Sequence, residues 1–229
     1  MDSRSYAYLS VKLARNGKLP VHINDVATDT DLVSSLGKIV GDEQPQTDTS
    51  CEALIKTKKE LLSAKSVYHY VLESQNEPDY RQLLQTSLDK GLKAFTTKAY
   101  PKTDSEWQQV WENADFANLA YLLSSNSTTV GCVVGKCTKE ESAPDRQPAG
   151  EAQRTVEMSL LICDLDPPAT RDKAPFDEDY FTGLIARTAQ LADMTADDLK
   201  APTNDGTAAA AVPTIMLAGF VAMLTAVAA

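Results

Sequence analysis

Histidine is nearly absent from this sequence, which has 2 histidines among 229 residues. Two histidines provide few groups for proton transfer by histidine or for the histidine ligands that zinc sites commonly use. Basic residues are also outnumbered, because 22 Lys and Arg face 32 Asp and Glu and give a net charge of −10. This acidic balance argues against nucleic acid and against electrostatic binding to anionic lipid. It is typical of a surface that keeps a protein soluble.

Catalytic signatures are missing as well. The chain contains neither a GxSxG nucleophile motif nor an HExxH metal motif, so no Ser, His and Asp residues are placed together for hydrolysis. A hydrolase is therefore the weakest of the functional hypotheses. We expect no enzyme activity, no bound metal and no cofactor.

Charge disappears altogether from the last part of the chain. Residues 208–229 read AAAAVPTIMLAGFVAMLTAVAA, which is long enough to span a bilayer. However, the run is rich in alanine, is interrupted by Pro213 and Gly219, and has no Lys or Arg after it. A polar stretch of small residues precedes it, as in a glycosylphosphatidylinositol (GPI) attachment signal. A tail-anchored or buried helix is the alternative. The expected attachment residues are Asn204, Asp205 and Gly206.

A GPI signal implies passage through the secretory pathway. The first 18 residues have no apolar core of a signal peptide, so we expect that such a peptide has been removed from this sequence. The 4 cysteines would then form two disulfides, and three pairings are open. The triplet Asn126-Ser127-Thr128 is a candidate N-glycosylation site.

The hydrophobic periodicity predicts helices first and strands late. Thr103 and Glu106 are spaced as a capping box before the clearest helix, and apolar residues then alternate in two later segments. This order predicts an α+β domain with an antiparallel strand pair. The predicted helices are 5–14, 29–40, 51–73, 79–95, 105–123 and 180–192, and the predicted strands are 128–134 and 154–163.

Two segments near these strands carry a resemblance to a known family. VGCVVGKC at 130–137 and LICDLDPP at 161–168 resemble the C-terminal half of CAP domains (cysteine-rich secretory proteins, antigen 5 and pathogenesis-related proteins). Together with the helix SEWQQVWENADFANLAYLL, the four cysteines and the apolar tail, they are similar to GPI-anchored surface antigens of coccidian parasites of the Eimeria type. The resemblance covers residues 6–168 and the tail.

The resemblance implies a three-layer αβα sandwich with an antiparallel sheet. It also implies that Cys132 pairs with Cys163 and that Cys51 pairs with Cys137. The family's better-known members hold a metal in a cleft with histidine and glutamate.

One histidine position of that family falls on Asn118, and neither His22 nor His69 has a clear counterpart in it. Asparagine does not transfer protons near neutral pH and is a poor zinc ligand. The metal and catalytic functions of the family are therefore not expected in this chain.

These observations predict a CAP-like ectodomain over 1–200, a polar linker with the attachment region over 201–211, and a GPI signal over 212–229. The expected function is that of a non-enzymatic antigen on the outer leaflet of a parasite plasma membrane. It would act in host-cell attachment or invasion, or meet host immune molecules. The alternative is a module that carries a lipid or sterol in an apolar groove.

Overall fold

The computed structural model describes residues 3–41, 50–73, 78–141 and 153–200. No helix in these ranges is both long and apolar enough to cross a membrane. The helices are α1 (Ser3–Asn16), α2 (Thr30–Val40), α3 (Cys51–Ala64), α4 (Tyr80–Gly91), α5 (Asp104–Trp111), α6 (Ala114–Leu122) and α7 (Glu178–Ala186). The strands are β1 (Ala27–Thr28), β2 (Tyr68–Glu73), β3 (Thr129–Glu141) and β4 (Gln153–Asp166). Short 3-10 turns occupy Leu92–Ala94, Leu191–Asp193 and Ala196–Leu199.

The four strands form one sheet in the order β1-β3-β4-β2. β3 and β4 are long antiparallel neighbours, β2 is antiparallel to β4, and β1 is parallel to β3. Successive side chains of a strand point to opposite faces. Leu161, Cys163 and Leu165 accordingly belong to one apolar cluster, whereas Leu160 and Ile162 belong to the other.

Helices cover both faces of this sheet. The larger cluster takes buried residues from α1, α4, α5, α6 and α7. The smaller cluster takes Leu36 from α2 and Leu62 from α3. The predicted fold class is therefore confirmed, since the chain forms an α+β domain with three layers, helix, sheet and helix.

Gly131 allows α2 to lie directly on the sheet. A Cβ atom at this position of β3 would come within 2.5 Å of the Leu32 Cβ atom and 2.7 Å of the Val33 nitrogen. Real Cβ atoms do not approach backbone that closely, so any larger residue would push the helix away. The glycine of the VGC segment is thus needed for packing.

One disulfide joins two strands of the sheet, and the other joins the sheet to α3. Cys132 and Cys163 lie directly opposite each other on β3 and β4 and are bonded. Cys51, the first residue of α3, is bonded to Cys137 of β3. This is the pairing that the family resemblance implies. With sequence separations of 31 and 86 residues, the loop-closure entropy corresponds to about 4 and 5 kcal/mol.

Three of the predicted helices differ in extent from the observed ones. The helix predicted over 51–73 ends at Ala64, and β2 follows after a turn in which Ser66 has a positive φ of 61°. β2 pairs along its whole length with β4, and this pairing outweighs the helical periodicity. The helix predicted over 180–192 ends at Ala186.

The helix predicted over 105–123 is divided into α5 and α6. Thr103 and Glu106 form the expected capping box at the start of α5. Asn113 then starts α6, because its side chain accepts a hydrogen bond from the Phe116 backbone N–H. Asparagine is a strong N-cap residue, so the break has a local cause in the sequence.

Arg15 is fully buried near the end of α1, with 0% of its surface exposed. Its guanidinium donates hydrogen bonds to the carbonyl oxygens of Leu122 at 2.7 Å, Asn24 at 2.9 Å and Ser124 at 3.0 Å. Burial lowers the pKa of Arg15 to about 10, which leaves it charged at neutral pH. The side chain therefore joins α1 to the following link and to the turn between α6 and β3.

We predict that Arg15→Met lowers the free energy of unfolding by about 3 kcal/mol, because three buried carbonyl oxygens lose a charged donor. Lys12→Met on the same helix is the matched control. Lys12 pairs with Asp25 at 2.8 Å on the surface, and such pairs contribute less than about 1 kcal/mol. Urea unfolding of the two variants measures the difference, and equal losses would contradict the role of Arg15.

Candidate functional site

Asn118 lies on α6 where this helix passes the outer edge of β2. Its side-chain amide nitrogen donates to the His69 carbonyl at 2.8 Å, and its oxygen accepts from the His69 N–H at 3.0 Å. β2 is an edge strand of the sheet, and an edge strand leaves backbone groups without a strand partner. The amide of Asn118 satisfies two of these groups.

This contact explains what an asparagine does at position 118. A primary amide presents one donor and one acceptor side by side, as the backbone of a neighbouring strand does. Both groups are used by the His69 backbone, so the side chain has a structural role. It brings no acid or base to the site.

His69 itself is buried, with 8% of its surface exposed. Its Nδ1 atom lies 3.1 Å from the Val67 carbonyl oxygen. A carbonyl oxygen only accepts, so Nδ1 carries the proton and Nε2 is left as an acceptor in the neutral ring. Burial lowers the pKa of His69 and the charge of Lys59 lowers it further, against the raising effect of the Val67 carbonyl. His69 is thus held neutral.

His69 and Asn118 line a cavity of about 460 Å³ between α3, α4, β2 and α6. Three aromatic residues, Tyr70, Trp111 and Tyr121, contribute to its walls. Its charged lining residues are Lys59, Lys90, Glu112, Asp115 and Arg171. The remaining lining residues are Ser63, Val71, Ser87, Ala114 and Ala117. The cavity therefore combines flat apolar rings with groups of both charges.

The Trp111 ring is held in a fixed orientation at the cavity. Its indole N–H donates to the Lys173 carbonyl at 2.8 Å, and its ring centroid lies 5.5 Å from that of Tyr121. With only 1% of its surface exposed, Trp111 supports the wall of the cavity and offers almost no surface to a ligand. Trp111 is therefore a rigid part of the wall.

The lining of the cavity offers groups that can bind a ligand. Within the described ranges, no group of three or more His, Cys, Asp or Glu residues is placed to hold a metal ion. Its two carboxylates accompany one neutral histidine, and no serine or cysteine nucleophile is hydrogen-bonded to that histidine in the described part. What the walls supply are hydrogen-bond donors, acceptors and aromatic surface.

A smaller cavity lies on the opposite face of the sheet. It measures about 120 Å³, and apolar side chains from α2, α3 and β4 form much of its wall. These include Ile39, Leu54, Ile55, Leu160 and Ile162. Small-molecule sites usually measure about 300–1,000 Å³, so this space is small for a ligand.

The other residues singled out in the sequence lie apart from the large cavity. Asn126 is exposed in the turn between α6 and β3, and its glycosylation stays a prediction. The four cysteines are bonded in pairs and none lines that cavity. The expected GPI attachment residues Asn204, Asp205 and Gly206 lie outside the described residues.

The sequence does not predict this cavity, because the periodicity over 51–73 favours a helix and places His69 away from Asn118. A signal was present in Val67-Tyr-His-Tyr-Val71, because β-branched and aromatic residues favour strands. Only the pairing with β4 brings His69 beside α6.

We predict that Asn118→Asp lowers the free energy of unfolding by about 1–3 kcal/mol, since the carboxylate cannot donate to the His69 carbonyl and repels it. Asn126→Asp makes the same chemical change at an exposed turn position, where we expect a change within about 0.5 kcal/mol. Urea unfolding at neutral pH measures both. A stable Asn118→Asp variant would show that the pair of hydrogen bonds is dispensable.

The lowered pKa of His69 predicts a loss of stability in acid. The unfolded chain takes up a proton near the ordinary pKa of 6.5, whereas the folded protein resists it until a lower pH. Stability should therefore fall as the pH drops below about 6.5 and level off below the folded pKa. His69→Gln should remove this part of the pH dependence of the urea midpoint. An unchanged pH profile would mean that His69 is not held neutral.

Comparisons with known proteins bear on the identity of the chain. A family model, the sporozoite surface antigen (SAG) protein domain, matches residues 24–199. The crystal structure of a hookworm platelet inhibitor is similar at 13% identity and a TM-score of 0.41, covering 77% of this chain and 72% of that one. That of MpPR-1i is similar at 14% identity and a TM-score of 0.32, covering 74% and 93%.

No curated protein matches the sequence. The family model, in contrast, spans most of the chain, including the residues of the large cavity and all four cysteines. Similarity to parasite surface antigens, which the cysteine-bearing strands and the tail indicated, is confirmed by this match. The chain belongs to the family of sporozoite surface antigen (SAG) domains.

Proposed function

We propose that this chain is a non-enzymatic, GPI-anchored antigen of the parasite surface that acts in host-cell attachment or invasion, or binds host immune molecules. Membership of a surface antigen family supports the location. One observation carries the non-enzymatic role: the amide of Asn118 is used by the His69 backbone. The large cavity thus has a structural amide beside a neutral histidine and is built for recognition.

The end of the chain supports the anchor. The family match stops at residue 199, and the polar segment 201–211 and the uncharged segment 212–229 follow directly. We propose the first as linker and attachment region and the second as the signal that is replaced by the anchor. Residues 1–200 would then be the ectodomain on the outer leaflet of the plasma membrane.

The disulfides support the secretory route. All four cysteines of the chain are paired. Disulfides of this kind persist in oxidising compartments and on cell surfaces and are rare in the cytosol. A stapled scaffold is also suited to the extracellular side, where the protein must stay folded without chaperones.

The lipid- or sterol-carrying alternative has less support. Its apolar groove would correspond to the cavity beside α2 and α3, which measures about 120 Å³. This is below the range of about 300–1,000 Å³ that is usual for small-molecule sites. Extraction of the purified protein followed by mass spectrometry for bound lipid tests this alternative.

We predict that phosphatidylinositol-specific phospholipase releases the protein from intact cells. The enzyme cleaves the lipid from a GPI anchor but leaves a spanning helix in place, so the released protein should lack every residue after the attachment site, at least 207–229, by mass spectrometry. Western blotting of the supernatant and the cell pellet measures the release.

The matched control is a variant that ends at Lys200. It lacks the proposed attachment region and signal, so it should pass into the medium without phospholipase. Retention of the complete protein on treated cells, with the apolar tail still detectable, would contradict the anchor.

A further inference from the structure

The charged groups around the large cavity are not paired with one another. Lys59, Lys90, Glu112 and Asp115 are exposed and line the same cavity, yet none of them takes part in an ion pair with another described residue. Arg171, the fifth charged group, lies 3.7 Å from the adjacent carboxylate of Asp172. Charges of both signs therefore surround the cavity and are free to contact a ligand.

The balance of these charges differs from that of the whole protein. Three cations and two carboxylates line the cavity, and the Arg171 guanidinium is offset by the Asp172 carboxylate, 3.7 Å away. The charges around the cavity therefore balance, whereas the complete chain has a net charge of −10. An anion meets less repulsion here than at an acidic surface, and the two unpaired lysines are available to contact its charge.

The hydrogen-bond acceptors and the aromatic rings of the lining indicate what else the ligand carries. Glu112 and Asp115 are acceptors when ionised, and the Nε2 atom of His69 is an acceptor because Nδ1 donates to Val67. Acceptors at three places call for a ligand with several donors such as hydroxyl groups. The half-buried ring of Tyr70 provides flat apolar surface for the C–H faces between those hydroxyls, whereas Trp111 and Tyr121 are 1% and 5% exposed and only support the wall.

We propose that this cavity binds an acidic saccharide, a mono- or disaccharide unit that bears one carboxylate or sulfate. The cations would contact the anionic group, and the carboxylates and His69 would accept from hydroxyls. The volume of about 460 Å³ lies in the usual range of small-molecule sites. The inference rests on the proposed function in attachment, since acidic saccharides are displayed on cell surfaces.

The experiment compares three sugars of one series: sialyllactose, lactose sulfated on its galactose, and lactose itself. Binding to the full chain in detergent is measured by calorimetry and by ligand-observed NMR. We expect both acidic sugars to bind about tenfold more tightly than lactose, because charge-assisted hydrogen bonds to the anionic group are lost in lactose. Comparing the two acidic sugars shows whether the cavity prefers carboxylate or sulfate. Raising the salt concentration should weaken the binding of both.

Substitution of the charged lining residues tests whether the sugars bind in the cavity. The triple substitution Lys59→Gln, Lys90→Gln and Arg171→Gln should weaken the acidic sugars about tenfold or more and leave lactose nearly unchanged. Lys56→Gln is the matched control, because Lys56 is an exposed lysine on α3 that does not line the cavity. All of these side chains are exposed, and the urea midpoint of each variant confirms that it is folded.

Several outcomes would overturn the proposal. They are equal binding of all three sugars, no binding of any, retained affinity in the triple variant, and binding of inorganic sulfate as tight as that of the sulfated sugar. The test is independent of the anchor, since the purified full chain is used. If the sugars fail while the protein still attaches to host cells, only the saccharide proposal is lost.

Discussion

The buried guanidinium of Arg15 is the interaction on which the arrangement of the layers depends. It donates to backbone carbonyl oxygens at the end of α6, in the following turn and in the link after α1. The last carbonyl groups of a helix have no partner within the helix and favour a cation. Arg15 supplies that cation from a different helix. The turn that it holds leads from α6 directly into β3, so the position of α6 over the sheet follows from this contact.

The end of α1 is held in turn by the last helix. Arg187, just after α7, donates to the Leu13, Ala14 and Gly17 carbonyls, and the Tyr180 hydroxyl donates to the Arg15 carbonyl at 2.6 Å. Burial raises the pKa of Tyr180, so the phenol stays neutral at physiological pH, and burial lowers the pKa of Arg187. Residues far apart in the chain thus fix one helix end.

The large cavity depends on how α6 is placed against the sheet. With α6 positioned by Arg15 and the sheet stapled by two disulfides, Asn118 meets the free edge of β2 and closes one side of the large cavity. The charged side chains that line this cavity come from α3, α4, the α5–α6 junction and the segment after β4. They lie on the exposed rim of a rigid scaffold, where they are able to change without loss of the fold.

The sequence by itself determined the local features of this protein. The capping box at Thr103, the cysteine-bearing strands and the uncharged tail are recognisable because a few neighbouring residues define each of them. The tertiary structure decided the features that depend on contacts between residues far apart in the chain. β2 became a strand because it pairs with β4, and Asn118 and His69 met because α6 crosses that strand. Periodicity reports only which face of a segment is apolar, whereas strand pairing and cavity formation depend on backbone groups and side chains brought together across the fold.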